Sequence, residues 1–178
     1  MGFLPPKIDD EIAIPAVITE DVFHYAVHEG VAFSVSAISV SGDQYICFTT
    51  PNTTSYLHVL WSFKSEDNST FSITEDVTAG GSTADIVAYA KNRATLMNGR
   101  ATSGVLAGNS GTAGSVQVGV PFTLGTLIYS EFTNKNGGSD NAAMELVLEK
   151  NTTYGFKLQD IGTKDLGFTL TWFEVPLK

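Results

Sequence analysis

The sequence predicts an all-β chain: a jelly-roll-like antiparallel β-sandwich with an extended N-terminal arm. Three observations carry that expectation. Apolar and polar side chains alternate with period two in at least five segments, the pattern of half-buried antiparallel strands. Clusters of Gly, Asn, Asp, Ser and Pro separate these segments at the regular spacing of sandwiches and barrels. No window of eleven or more residues carries helical periodicity; the nearest, residues 86–99 (IVAYAKNRATLMNG), supports one or two turns at most.

The 178 residues divide into an arm, residues 1–20, and a sandwich domain, residues 21–178. The arm holds Pro5, Pro6 and Pro15, with Asp9, Asp10 and Glu11 between them. Proline fixes φ and pushes its predecessor towards extended geometry, so this is not a helix. The arm also carries Phe3, Leu4, Ile8, Ile12, Ile14, Val17 and Ile18. A solvated tail has no use for so many apolar side chains. Phe3, Leu4, Ile8, Ile12 and Ile14 are therefore the candidate interface residues, towards a sister subunit or another protein.

Within the domain, residues 31–40 (VAFSVSAISV) place Val31, Phe33 and Val35 on one face, then switch phase to Ile38 and Val40. A β-bulge or a strand changing sheets would produce that switch. LHVLWSF puts Leu57, Val59, Trp61 and Phe63 on one face and His58 and Ser62 on the other. SVQVGV alternates through Val116, Val118 and Val120, and MELVLE through Met144, Leu146 and Leu148 with Glu145 and Glu149 outward. YGFKL gives Tyr154, Phe156 and Leu158, and FTLTWFEV gives Phe168, Leu170 and Trp172. QYICF, TFSIT and DIVAYA complete a count of about nine or ten strands. Turns are expected at 41–43, 51–54, 65–69, 79–82, 134–140 and 161–165, and residues 98–115 read as a long glycine-rich loop.

Composition excludes several functions. Apolar residues are 43% and charged residues 16%, too greasy for disorder. Ten basic against nineteen acidic residues, with no basic cluster, disfavour nucleic acid and anionic membrane surfaces. A lone Cys47 forbids an internal disulfide. No apolar run reaches membrane-span length, and the start lacks the basic and apolar regions of a signal peptide, so synthesis in a cytosol is expected.

The chemistry-bearing residues point nowhere in particular. His24 and His28 would sit about 13 Å apart on a strand, too far for joint ligation, and His58 points outward. Cys47 lies mid-strand and reads as a structural thiol. Glu131 and Glu174, or Glu145 and Glu149, are the carboxylates a glycosidase could pair, but nothing in the spacing brings them together. There is no nucleophile elbow and no nucleotide loop. The sequons at Asn52, Asn68 and Asn151 read as turns. No enzyme, metal or cofactor is expected.

The ordered pieces VHEGVAFSVSAISV, TPNTTSYLHVLWSF, AYAKNR, GTLIYSEFT and LVLEKNTTYGFKLQD…FTLTWFEV, over residues 27 to 175, resemble a family of small β-sandwich proteins encoded near the major capsid gene of tailed bacteriophages. Relatives close on Trp-Tyr-Glu-His; this chain has Trp172-Phe173-Glu174-Val175, and its arm has no counterpart in the resemblance. The resemblance implies a capsid decoration, or cement, protein of the virion. It would bind the outer head surface as a homotrimer, with the major capsid protein and itself as partners. An alternative is a carbohydrate- or receptor-binding module of a head fibre or tail, with Tyr25, Tyr45, Tyr56, Tyr129 or Phe132 as a stacking platform.

Overall fold

The computed structural model describes residues 26–27, 31–39, 42–50, 52, 55–80, 85–86, 89–90, 116–140, 145–160 and 165–176. The arm, with Phe3, Leu4, Ile8, Ile12 and Ile14, and the 98–115 loop lie outside these residues. The strands are β1 (Ala32–Ser39), β2 (Gln44–Thr49), β3 (Ser55–Ser65), β4 (Ser69–Glu75), β5 (Thr78–Ala79), β6 (Asp85–Ile86) and β7 (Tyr89–Ala90). They continue with β8 (Val116–Val118), β9 (Phe122–Thr123), β10 (Thr126–Thr133), β11 (Gly138–Asp140), β12 (Leu146–Leu148), β13 (Thr153–Asp160) and β14 (Leu166–Pro176). The chain is an all-β sandwich. The surplus over the expected strand count comes from pieces of two or three residues, too short to show a period.

One sheet runs β11-β3-β14-β1-β7, with β12 beside β11 on the same side of β3; the other runs β10-β4-β13-β2-β8-β6. Every pairing is antiparallel. The β3–β14 ladder holds eleven consecutive pairs, from Leu166↔Ser65 to Pro176↔Ser55. Period-two alternation then aims Leu57, Val59, Trp61 and Phe63 of β3 and Phe168, Leu170 and Trp172 of β14 into one core. They meet Phe71, Ile73, Tyr154, Phe156 and Leu158 of the facing sheet. Aromatic rings span the two layers: Phe63 stacks on Phe71 at 5.2 Å, and Phe48 lies 6.2 Å from Trp172. Such pairs add about 0.5–1.5 kcal/mol each beyond the area they bury.

Three expectations are corrected. β1 pairs with β14 in unbroken register from Ala32↔Phe173 to Ser39↔Leu166, so the phase switch is neither a bulge nor a change of sheet. Ile38 keeps the outward parity of Ser34 and Ser36, and stands 80% exposed. DIVAYA is not one strand: β6 belongs to the sheet of β10 and β7 to the sheet of β1, so the chain crosses between layers there. Residues 138–140, expected as turn, form the edge strand β11.

The turn before β13 shows what the Leu-Glu-Lys-Asn-Thr-Thr-Tyr string does. Asn151 takes φ +53, which asparagine tolerates. The buried Thr50 Oγ1 accepts the Thr152 N–H at 3.0 Å and lies 2.5 Å from the Glu149 carbonyl, to which it donates. The Glu149 N–H donates to the Tyr154 hydroxyl at 2.9 Å. This is a clasp joining the ends of β2, β12 and β13, and it gives the hydroxyls of the buried Thr50 and Tyr154 their partners.

Candidate assembly interface

The two sheets end differently at their sides. β7 and β6 have two residues and β11 has three, and short edges offer little to a passing strand. β10 has eight residues and pairs with β4; among the described residues no strand lies on its other side. It contains neither proline nor lysine, the usual edge guards.

The GTLIYSEFT segment folds in this way because its alternation is broken. Leu127, Ile128 and Tyr129 are three apolar residues in a row, which no flat strand can bury on one face. The chain resolves this with a bulge between Leu127 and Tyr129. Tyr129 and Glu131 then take the inward parity, opposite Ile73 and Phe71. Tyr129 packs on Trp61 at 5.0 Å and its hydroxyl donates to Glu131 Oε2 at 2.6 Å. The other apolar side chains turn out: Leu127 is 61% exposed, Ile128 37% and Phe132 56%. Beside them lie Thr70, Ser72 and Thr74 of β4, an uncharged strip on a chain of net charge −9.

The turn leading into β10 adds to this patch at a cost. Leu124 has φ +62 and its side chain is 79% exposed. The left-handed region disfavours a β-carbon by about 1–2 kcal/mol, and bare leucine gains nothing from solvent. Gly125 follows at φ +97, and a Cβ there would lie 2.4 Å from the Glu75 carbonyl oxygen. Only glycine lets the turn lie this close to β4.

The other sequence candidates do not converge. Tyr45 packs edge-on to Phe122 and donates to Asp43 at 3.0 Å; Tyr56 sits beneath Lys150 on the other sheet; Tyr129 points inward. Of the named aromatics that are described, Phe132 alone is exposed, so these form no stacking platform; Tyr25 lies outside the described residues. Glu131 and Glu174 stand on strands of opposite sheets. Glu145 pairs with His58, which stacks on Phe173 at 4.8 Å. His24 and His28 lie outside the described residues, among which no three metal-ligating groups cluster. Cys47 is buried, and desolvation pushes its thiol up to about 11. An open depression of about 710 Å³ on the outer face of the β1 sheet lies between Ile38, Ser62, Lys64, Gly138, Gly167 and Thr169. Its titratable lining residues, Lys64, Glu66 and Asp165, are all exposed, and no buried titratable group faces it.

Sequence reasoning named Phe132 and Tyr129 but missed Leu124, Leu127 and Ile128. The signal was the unbroken apolar triplet at 127–129. Comparison with models of known protein families, with curated proteins and with solved structures finds no match to this chain.

Proposed function

We propose that this chain is a structural decoration protein of a tailed-phage head. It binds the outer surface of the expanded capsid as a trimer and holds neighbouring major-capsid subunits together. The observation that carries an assembly role is the apolar β10 edge. Of the six exposed large apolar side chains among the described residues, Leu124, Leu127, Ile128 and Phe132 fall on β10 and the turn leading into it, while Ile38 and Val147 stand on the other sheet. Exposed apolar patches of this kind mark surfaces that are covered in the working state. The ordered sequence resemblance supplies the head as the place of assembly. A protein that binds only the expanded lattice stabilises it by mass action, and three linked copies bind with avidity.

The test is direct. Purified protein is mixed with expanded heads, sedimented, and the heads are heated. Stoichiometric co-sedimentation and a raised rupture temperature are expected. Phe132→Asp should fold normally and weaken the binding at least roughly tenfold, the loss of one apolar anchor in a desolvated contact. Heads that neither retain the protein nor gain stability would rule the reading out.

A further inference from the structure

The β10 edge needs an occupant, and the chain carries a segment suited to it. We propose that Ile12–Val17 of one copy adds as an antiparallel strand to the β10 edge of a neighbouring copy. This rests on the assembly reading above and names the segment that fills the interface.

Complementarity of side chains selects the register. Setting Ile14 opposite Ser130 brings Ile12 opposite Phe132 and carries the acids Asp9 and Asp10 past the end of β10, towards the turn that holds Lys135. The exposed Phe132 then gains a branched apolar neighbour on the outer face, the kind of cross-strand pair that stabilises sheets. Lys135 is exposed, with no ion-pair partner among the described residues, and would gain a carboxylate.

Pro15 fits the same arrangement. It lacks an N–H and can lie in an edge strand only where that position faces away from the neighbour. Alternation then turns the Ile12, Ile14 and Ala16 amides towards β10. The added strand becomes the new edge, and its proline and the acids before it are the guards that β10 lacks.

The geometry of the chain favours a neighbour over self-pairing. Ala26 packs with Ala32 and Phe173, whose parity sets them on the outer face of the β1 sheet. β10 is the edge of the other sheet, beneath β3. Folding back would take the arm over β3 and around the side of the sandwich. The eight residues from Thr19 to Ala26 span up to about 28 Å when extended, enough to reach a domain set side by side. An arm from one face gripping an edge at another is a head-to-tail contact, and the trimer of the assembly reading requires its rotation to close after three copies.

The test uses the full chain. Ile14→Cys and Ser130→Cys are combined in one protein and oxidised gently; Cys47 is buried and stays out of reach. Disulfides between chains, giving a covalent ladder that ends at the ring, are expected; each single variant should give none. No bond, or a bond within one chain, overturns the proposal. Hydrogen exchange on the unaltered protein keeps the test independent of the variant's folding. The β10 amides that point away from β4 should exchange at least roughly 100-fold more slowly than open-chain amides, and Ile14→Asp should remove that protection. Fast exchange in the unaltered chain overturns the proposal. Heads that bind the protein while β10 exchanges freely would sink this inference alone; a protected β10 in a protein that ignores heads would sink the decoration reading alone.

Discussion

β14 and β10 are both long strands rich in apolar residues, and they use them in opposite ways. β14 lies between β3 and β1, and Phe168, Leu170 and Trp172 all enter the core. Its one outward aromatic, Phe173, is covered by Ala26 and Ala32. β10 lies at an edge, breaks its own alternation with a bulge, and leaves Leu127, Ile128 and Phe132 in solvent. Fold stability accounts for every large side chain of β14 whose burial is described. It accounts for Tyr129 in β10, and not for the other three. The difference separates side chains that folding buries from side chains that the proposed assembly would cover.

Substitutions should break the two strands in different ways. The largest effect belongs to Trp172→Ala, which removes a fully buried ring and should cost about 3–5 kcal/mol, read as a fall in the denaturant midpoint. Trp172→Phe should cost much less, because the Trp172 Nε1 is buried with no hydrogen-bond partner among the described residues and its removal relieves that penalty. Gly155→Ala is next. Its Cβ would meet the Phe122 ring at 2.6 Å, prising the β9 cover off β13, for a loss of about 1–3 kcal/mol. In the β10 region the sign reverses. Leu124→Asn relieves a left-handed leucine and should raise stability by about 0.5–1 kcal/mol while weakening assembly, measured by calorimetry and sedimentation. A stability loss at Leu124 as large as that at Trp172 would erase the contrast.

The smallest effect is present at neutral pH and fades in acid. Asp43 Oδ2 accepts from Tyr45 and lies 2.8 Å from Lys157 Nζ, while its Oδ1 accepts the Asp160 N–H at 2.9 Å. Burial raises its pKa, but these hydrogen bonds and the lysine charge outweigh it and hold the carboxyl below its usual 3.8. A lowered folded pKa contributes stability above pH 3.8 that disappears as pH falls through the folded value. Asp43→Asn should therefore be less stable than the parent at neutral pH, with the gap closing below about pH 3.8. An unchanged gap at pH 3 would show that the carboxylate charge contributes nothing.

The central strands were legible because alternation is a direct consequence of one buried face. Leu57 to Phe63, Tyr154 to Leu158 and Phe168 to Trp172 all obey it. Ile38 misled because an exposed isoleucine imitates a change of phase; only pairing with β14 separates the two. Strands of two or three residues, such as β6 and β7, are too short to carry a period at all. The candidate interface was half legible. Phe132 was singled out as an exposed aromatic, but the strand order that puts β10 at an edge depends on contacts distant in sequence. Glu75, Ile73 and Phe71 become its neighbours only after the sheet has formed.

The turn at Asn134–Gly137 joins β10 of one layer directly to β11 of the other, with the Gly137 N–H donating to the Asn134 carbonyl at 2.8 Å. On the opposite flank the chain passes from β6 to β7 within a few residues. The sandwich is thus stitched along both sides. A tug on the β10 rim would be shared at once by both layers and by the eleven-rung ladder behind β11, so a fastening placed there would draw on the strength of the whole body rather than peel away a single ribbon.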